Sequence, residues 1–193
     1  MAAGGLRQER KTSTRRRIWH AAVDLSYEHG FDSVTVAQIA ASAEISPRTF
    51  NRYFPTKEGA VVDGMVQIGE RARDALAARP ADEPVWASLQ AALESFLVEY
   101  PDLELNRKNL VVILSTPALR ARHLAQRMGW ADLLEPVVVA RLSGSDREIR
   151  AKTIVTAGLM CLDIAMRVWA LDRPDDRVET IIRVAFGSLD ARE

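Results

Sequence analysis

Arg48, Thr49, Asn51, Arg52 and Tyr53 fall within six consecutive residues, and all are types that contact DNA. In the same stretch Phe50 and Phe54, four apart, share one helical face and point inward. The segment therefore reads as a short helix with an anchored apolar face and a polar, cationic outer face. The DNA major groove is wide enough to admit such a helix.

Two capping signals position it. Ser46 followed by Pro47 is an N-cap with proline at the first helical position. Upstream, Thr35 and Gln38 form a capping box that starts a preceding helix, with Ile39 and Ala40 as its small apolar face. Two short helices joined by a tight turn make a helix-turn-helix. The alternative is a plain helical hairpin whose arginines are solvated. A first helix is predicted from about Thr14 to His29, with Ile18, Ala21, Ala22 and Leu25 on one stripe. Gly30 is its left-handed C-cap, and Phe31 packs back on the last turn. Before it, residues 7–17 carry Arg7, Arg10, Lys11, Arg15, Arg16 and Arg17 against one acid, Glu9. Such an arm reaches phosphates or a minor groove, or serves as a solubilising tail.

The 193 residues suffice for one large domain or a small and a medium one, and 48% hydrophobic content excludes wholesale disorder. The net charge is zero, but residues 1–58 carry +3 and the remainder −3, as expected if one end alone meets nucleic acid. A single cysteine, Cys161, excludes an internal disulfide and fits a reducing cytoplasm. No membrane association is expected, since no uncharged apolar run reaches membrane-spanning length. The histidines, His20, His29 and His123, are scattered, and no phosphate-loop or nucleophile motif is present. No catalytic residue, metal site or cofactor is expected, and Cys161 reads as a structural thiol.

Helical spacing dominates throughout and predicts an all-α chain of about nine helices. A fourth helix follows Thr56 towards Ala78. After the loop 78–84 another runs from Val85 to Tyr100, and a further one from Leu103 to Ser115. A long stretch from Pro117 to Leu142 should break or kink at Pro136. The most apolar helix spans Arg147 to Leu171, and the last Arg177 to Leu189. The predicted organisation is a basic flexible arm (1–12), a helix-turn-helix domain (13–58), and a ligand-binding and dimerisation domain (59–193).

Residues 21–61, AAVDLSYEHGFDSVTVAQIAASAEISPRTFNRYFPTKEGAV, closely resemble the TetR family of bacterial transcriptional regulators. The capping residues, the glycine and the YFPTKE ending occur in order. The resemblance implies a helical homodimer with a three-helix DNA-binding head. It also implies a body that holds a ligand pocket and pairs its last two helices across the two-fold axis. Carried over by position, Thr35 becomes a phosphate contact, Arg48 and Thr49 base readers, and Tyr53 and Lys57 backbone contacts. Lys57 would be helped by the N–H groups at its helix start. Asn51 stands where the family most often has tyrosine, and could meet a phosphate or an adenine edge. Glu44 stands where glycine is frequent, and a left-handed backbone there would store strain. The stretch from Leu110 to Leu142 resembles regulators whose C-terminal domain is assigned acyl-CoA-like ligands.

Candidate pocket residues are Trp86, Phe96, Asn109, Met128, Trp130, Met160 and Trp169, which could equally fill a helical core. Asn106 is a further candidate to orient a ligand's polar end. Asp163 and Arg167 are spaced to pair, on a dimer edge or as a polar anchor in a pocket. Val178, Ile181, Ile182, Ala185 and Phe186 give the last helix more apolar surface than one face should expose, and predict the dimer interface.

The combined expectation is a cytoplasmic, homodimeric repressor. A small apolar effector would release it from a pseudo-palindromic double-stranded operator. An activator, or a helical sensor or scaffold without sequence-specific DNA binding, is the alternative. On this reading Arg48→Ala relaxes base preference, Lys57→Ala flattens the salt dependence of binding, and Phe186→Asp yields monomers.

Overall fold

The computed structural model describes residues 2–62, 67–95, 97 and 102–189, with side chains from Arg10 onward except at Gln67. Among these residues there are ten α-helices, one 3-10 turn at Phe31–Ser33, and no strand. The helices are α1 (Ala2–His29), α2 (Val36–Ser42), α3 (Pro47–Tyr53), α4 (Lys57–Val62), α5 (Gln67–Ala77) and α6 (Val85–Glu94). They continue as α7 (Leu103–Ser115), α8 (Pro117–Arg141), α9 (Arg147–Leu171) and α10 (Val178–Gly187). This is one helix more than the pattern predicts, because the fourth is described in two pieces either side of 63–66. Phe96, a pocket candidate, lies outside the described residues.

The chain divides into two compact units. One comprises Met1–Val66 with Glu104–His123, the other Gln67–Leu103 with Leu124–Glu193. The first unit takes in most of α7 and the first turns of α8 beside the helix-turn-helix. Ile18, Ala21 and Ala22 of α1 pack with Phe31, Ile39, Phe50, Phe54 and Val61, and Val112, Ile113 and Leu119 belong to the same core. Lys108 of α7 donates to Asp24 of α1 at 2.8 Å. The basic arm continues α1 back to Ala2 instead of standing apart from it. From Leu6 to Lys11 the Leu, Arg, Gln, Glu and Lys residues are strong helix formers, which favours carrying the helix past the N-cap types at Thr12–Thr14.

In the second unit α9 packs on α10, and α6 contacts α5, α9 and α10. Gly158 of α9 allows this approach: a Cβ there would lie 2.6 Å from Cδ2 of the fully buried Leu89. Trp86 donates its indole N–H to the Phe186 carbonyl at 3.3 Å, with the two rings 5.1 Å apart. By length and a mean hydropathy of 1.7 over 18 residues, α9 would suit a bilayer, yet half of that window is buried within this unit. Pro136 sits inside α8 without ending it. It is exposed, and the carbonyl it leaves unpaired belongs to the exposed Asp132, where water can meet it.

The loop between α5 and α6 is held by Glu83, which accepts from Arg79 Nε at 2.7 Å and from the Ser88 hydroxyl. Arg141 donates to the Pro80 and Glu83 carbonyls at 2.7 and 3.1 Å. The Arg79 and Ser88 hydrogen bonds pull the Glu83 carboxyl down to about 2. A depressed pKa stabilises the fold above the ordinary carboxylate value, and that support is lost as pH falls towards 2. The melting-temperature difference between wild type and Glu83→Gln should therefore shrink as pH is lowered from about 4.5 towards 2. Thermal scans across that range check it, and a constant difference would contradict the assigned hydrogen bonds.

Candidate nucleic-acid interface

The helix-turn-helix is built from local signals. Thr35 N–H donates to Gln38 Oε1 at 2.8 Å, and Gln38 N–H returns to Thr35 Oγ1 at 3.3 Å, completing the capping box. Ser46 accepts from the Thr49 N–H at 3.1 Å ahead of Pro47. Thr56 caps α4 through the Gly59 N–H at 3.1 Å. Gly30 takes φ 79° after α1, a conformation that suits a residue without a Cβ.

Between α2 and α3 the chain forms a Schellman cap. Ile45 N–H donates to the Ala40 carbonyl at 2.9 Å and Glu44 N–H to that of Ala41 at 3.0 Å. Glu44 holds the left-handed position, φ 52°, the only non-glycine residue with positive φ among those described. The conformation costs about 1 kcal/mol relative to glycine.

Arg48, Asn51 and Arg52 are exposed on α3, while Phe50 and Phe54 are sealed inside with ring centroids 6.1 Å apart. Thr49 is half-buried, its hydroxyl 3.0 Å from that of Ser46. Tyr53 is half-buried, with the Arg52 guanidinium 5.4 Å from its ring. Thr35 is exposed at the start of α2. Arg48, Asn51 and Arg52 are thus the recognition candidates that α3 exposes. Lys57 points elsewhere: its ammonium donates to the carbonyls of Phe31 at 2.9 Å, Val34 at 3.1 Å and Asp32 at 3.4 Å. The arm divides in the same way. Arg15 lies 4.2 Å over the Phe54 ring, and Arg17, though exposed like Arg10, Lys11 and Arg16, donates to the Ala43 carbonyl.

In the second unit the pocket candidates do not converge. Met128 and Met160 are 66% and 52% exposed, Trp86 packs on Phe186, and Trp169 is buried in α9. Asn109 is buried but belongs to the unit that carries the head. Trp130 is buried over Gly69, where a Cβ would come within 2.5 Å of the indole. The Arg127 guanidinium stacks 4.1 Å over that indole, and its Nε lies 2.8 Å from Asp163 Oδ1. Asp163 thus pairs with Arg127, not with Arg167, which is exposed. Burial pushes the Arg127 pKa down and Asp163 opposes it. Arg127 is only 8% exposed, and its Nη1 has no hydrogen-bond partner. The Arg127–Trp130 spacing was a readable stacking signal, but the i,i+4 spacing of Asp163 and Arg167 concealed it. Burial also pushes the Cys161 thiol up, away from reactive thiolate.

The predicted interface residues are inside their own chain. Val178, Ile181, Ile182 and Phe186 are buried and Ala185 half-buried, because α10 turns its apolar face onto α9 and α6. On α9, α10 and its end the large apolar residues left exposed are different: Ile149, Met160, Ile164, Leu171, Val184 and Leu189.

Capped tandem helices with a cationic outer face define a helix-turn-helix DNA-binding regulator. Residues 18–61 match the description "Bacterial regulatory proteins, tetR family", and residues 83–193 match "MftR C-terminal domain". The chain belongs to the TetR family of transcriptional regulators, with a body of the MftR C-terminal type. It is 30% identical over 192 residues to the regulator TcmR of Streptomyces glaucescens, covering 95% of this chain and 84% of that protein. It is 26% identical over 173 residues to the putative mycofactocin biosynthesis regulator MftR of Mycobacterium tuberculosis, covering 89% and 87%. Among solved structures it resembles the Pseudomonas aeruginosa repressor NalD, with a TM-score of 0.62 at 17% identity and 92% and 94% coverage. It also resembles Thermus thermophilus FadR in complex with lauroyl-CoA, with a TM-score of 0.53 at 24% identity and 93% and 96% coverage.

Proposed function

We propose that the chain is a cytoplasmic, homodimeric repressor that leaves a pseudo-palindromic operator when a small, largely apolar ligand binds the body. The observation that carries this reading is the outer face of α3, where Arg48, Asn51 and Arg52 stand free on a helix anchored by Phe50 and Phe54. Arg48 and Thr49 are assigned to base edges, Thr35 and Tyr53 to phosphates, and Asn51 to either.

Dimerisation is supported by the leftover apolar stripe. Met160, Ile164 and Leu171 are spaced to share one face of α9, and Val184 and Leu189 add to it from α10 and its end. Apolar side chains left exposed on two helices that pack together favour a second copy of the chain.

The effector's polar end is assigned to the Arg127–Asp163–Trp130 centre. A buried ion pair is a weak source of stability, so a binding role better accounts for it. The pair is charge-balanced and Arg127 has a spare donor, which suits a neutral acceptor such as a carbonyl better than an anion. The lauroyl-CoA bound by the Thermus protein carries such a carbonyl in its thioester.

Selection of binding sites from random duplexes tests the reading. The wild type should enrich an inverted repeat with half-sites about one helical turn apart or wider. Arg48→Ala should lose preference at one position in each half-site, with a cost of about 1–3 kcal/mol. Unchanged preference would remove Arg48 as a base reader, and no enriched motif at all would leave a sensor or scaffold.

A further inference from the structure

The charge run before α2 suggests that Arg17 reaches DNA, but its geometry gives the guanidinium another task. From α1, Arg17 Nη2 donates to the carbonyls of Ala43 and, at 3.4 Å, Glu44. Both carbonyls lie beyond the Schellman hydrogen bonds, which use those of Ala40 and Ala41. They flank the one left-handed non-glycine residue described, and Ser46, which starts α3, follows two positions later. The direction in which α3 leaves the turn is therefore set at the point Arg17 grips. Arg17 also lines a cleft of about 450 Å³ between α1 and this turn, together with Arg16, His20 and Glu44. Ala43 itself packs into the core beside Ala21 and Ala22 of α1, and the guanidinium adds a polar tie from α1 to the carbonyls on either side of Glu44.

We propose that Arg17 is a positioning residue for DNA recognition: it holds the strained α2–α3 turn at Glu44 and so fixes the angle at which α3 presents Arg48 to the groove. Glycine at this turn would need no such tie, since it adopts positive φ at no steric cost. Glutamate needs one, so residues 17 and 44 should be energetically coupled even though neither touches a base.

The test is a double-mutant cycle in the full-length protein with Arg17→Met, Glu44→Gly and the combination. Binding is measured to the best duplex from the random-site selection and to a scrambled duplex of equal length, each over a range of salt. Arg17→Met should weaken binding to the selected duplex by about tenfold, with a much smaller effect on the scrambled one. The slope of log K against log salt should stay as in the wild type. With Glu44 already glycine, the loss from Arg17→Met should shrink severalfold.

A phosphate-contacting Arg17 predicts the opposite pattern: equal losses on both duplexes, a slope lower by about one, and no relief from glycine. That pattern would overturn the proposal, as would additive effects of the two substitutions. Should Arg17→Met fail to fold, Arg17→Lys, which keeps the charge but not the fork, enters the same cycle. A lysine variant that matched the wild type on both duplexes would equally count against a positioning role.

Discussion

Phe186→Asp is expected to unfold the body, not to split a folded dimer. Phe186 is 0% exposed within a single chain, its ring meets Trp86 at 5.1 Å, and its carbonyl accepts the Trp86 indole N–H. Removing a buried phenylalanine costs about 3–5 kcal/mol even when alanine replaces it. An unpaired carboxylate in the same place adds several kcal/mol more, or must take up a proton to remain there. The combined loss is comparable to the roughly 5–15 kcal/mol that holds a domain folded. The variant should lose its cooperative thermal transition, or show a steeply lowered one, and lose operator binding as a consequence. Val184→Asp is the matched comparison, two residues earlier on α10 and 60% exposed. It should keep the wild-type helical content and melting transition while sedimenting as a monomer. If Phe186→Asp instead gave a well-folded monomer, the interface would lie on the face the sequence pattern first suggested.

That reversal shows which parts of the molecule were readable from the sequence. Capping at Thr35–Gln38, Ser46–Pro47 and Thr56 depends on residues within a turn of one another, and each forms as its spacing predicts. The left-handed turn at Glu44 is of the same kind. Gly30 takes the positive φ expected of it, but with ψ 137° it turns the chain out of α1 without the left-handed helical cap. On α10 the apolar pattern identified which residues leave water. It could not say what covers them, because packing against the same chain and against a second copy require the same side chains. The polar ties were hidden for a different reason. Arg17 meets Ala43, Lys57 meets Phe31, and Arg127 meets Asp163, partners 26 residues apart in the first two cases and in different parts of the fold in all three. No periodicity within one helix records such a pairing. Val112, Ile113 and Leu119 joined the head's core unseen for the same reason, since a greasy run in a distant helix carries no address.

Lys57 gives the second large effect, because its two possible roles make opposite predictions. An ammonium has three donors, and those of Lys57 face the carbonyls of Phe31, Val34 and Asp32. It also lies 4.4 Å from the Phe31 ring centroid, an additional attraction for a cation. As the first residue of α4 it stands where the helix dipole disfavours positive charge, so the carbonyl cage offsets an unfavourable position. Lys57→Met retains the stem and removes the donors, leaving three carbonyls converging on an apolar methyl group. Hydrogen bonds to charged groups contribute about 1.5–3 kcal/mol, so the head should lose stability on that scale in urea denaturation. Binding to DNA should weaken in step with the folded fraction, and its salt slope should remain as in the wild type. Were Lys57 a phosphate contact, the same variant would keep its urea midpoint and reduce the slope of log K against log salt by about 0.9. A phosphate contact would have to break the cage, because one ammonium cannot serve three carbonyls and a phosphate at once. The urea midpoint and the salt slope, measured on one variant, therefore separate a clamp on the 3-10 turn from a contact with the DNA backbone.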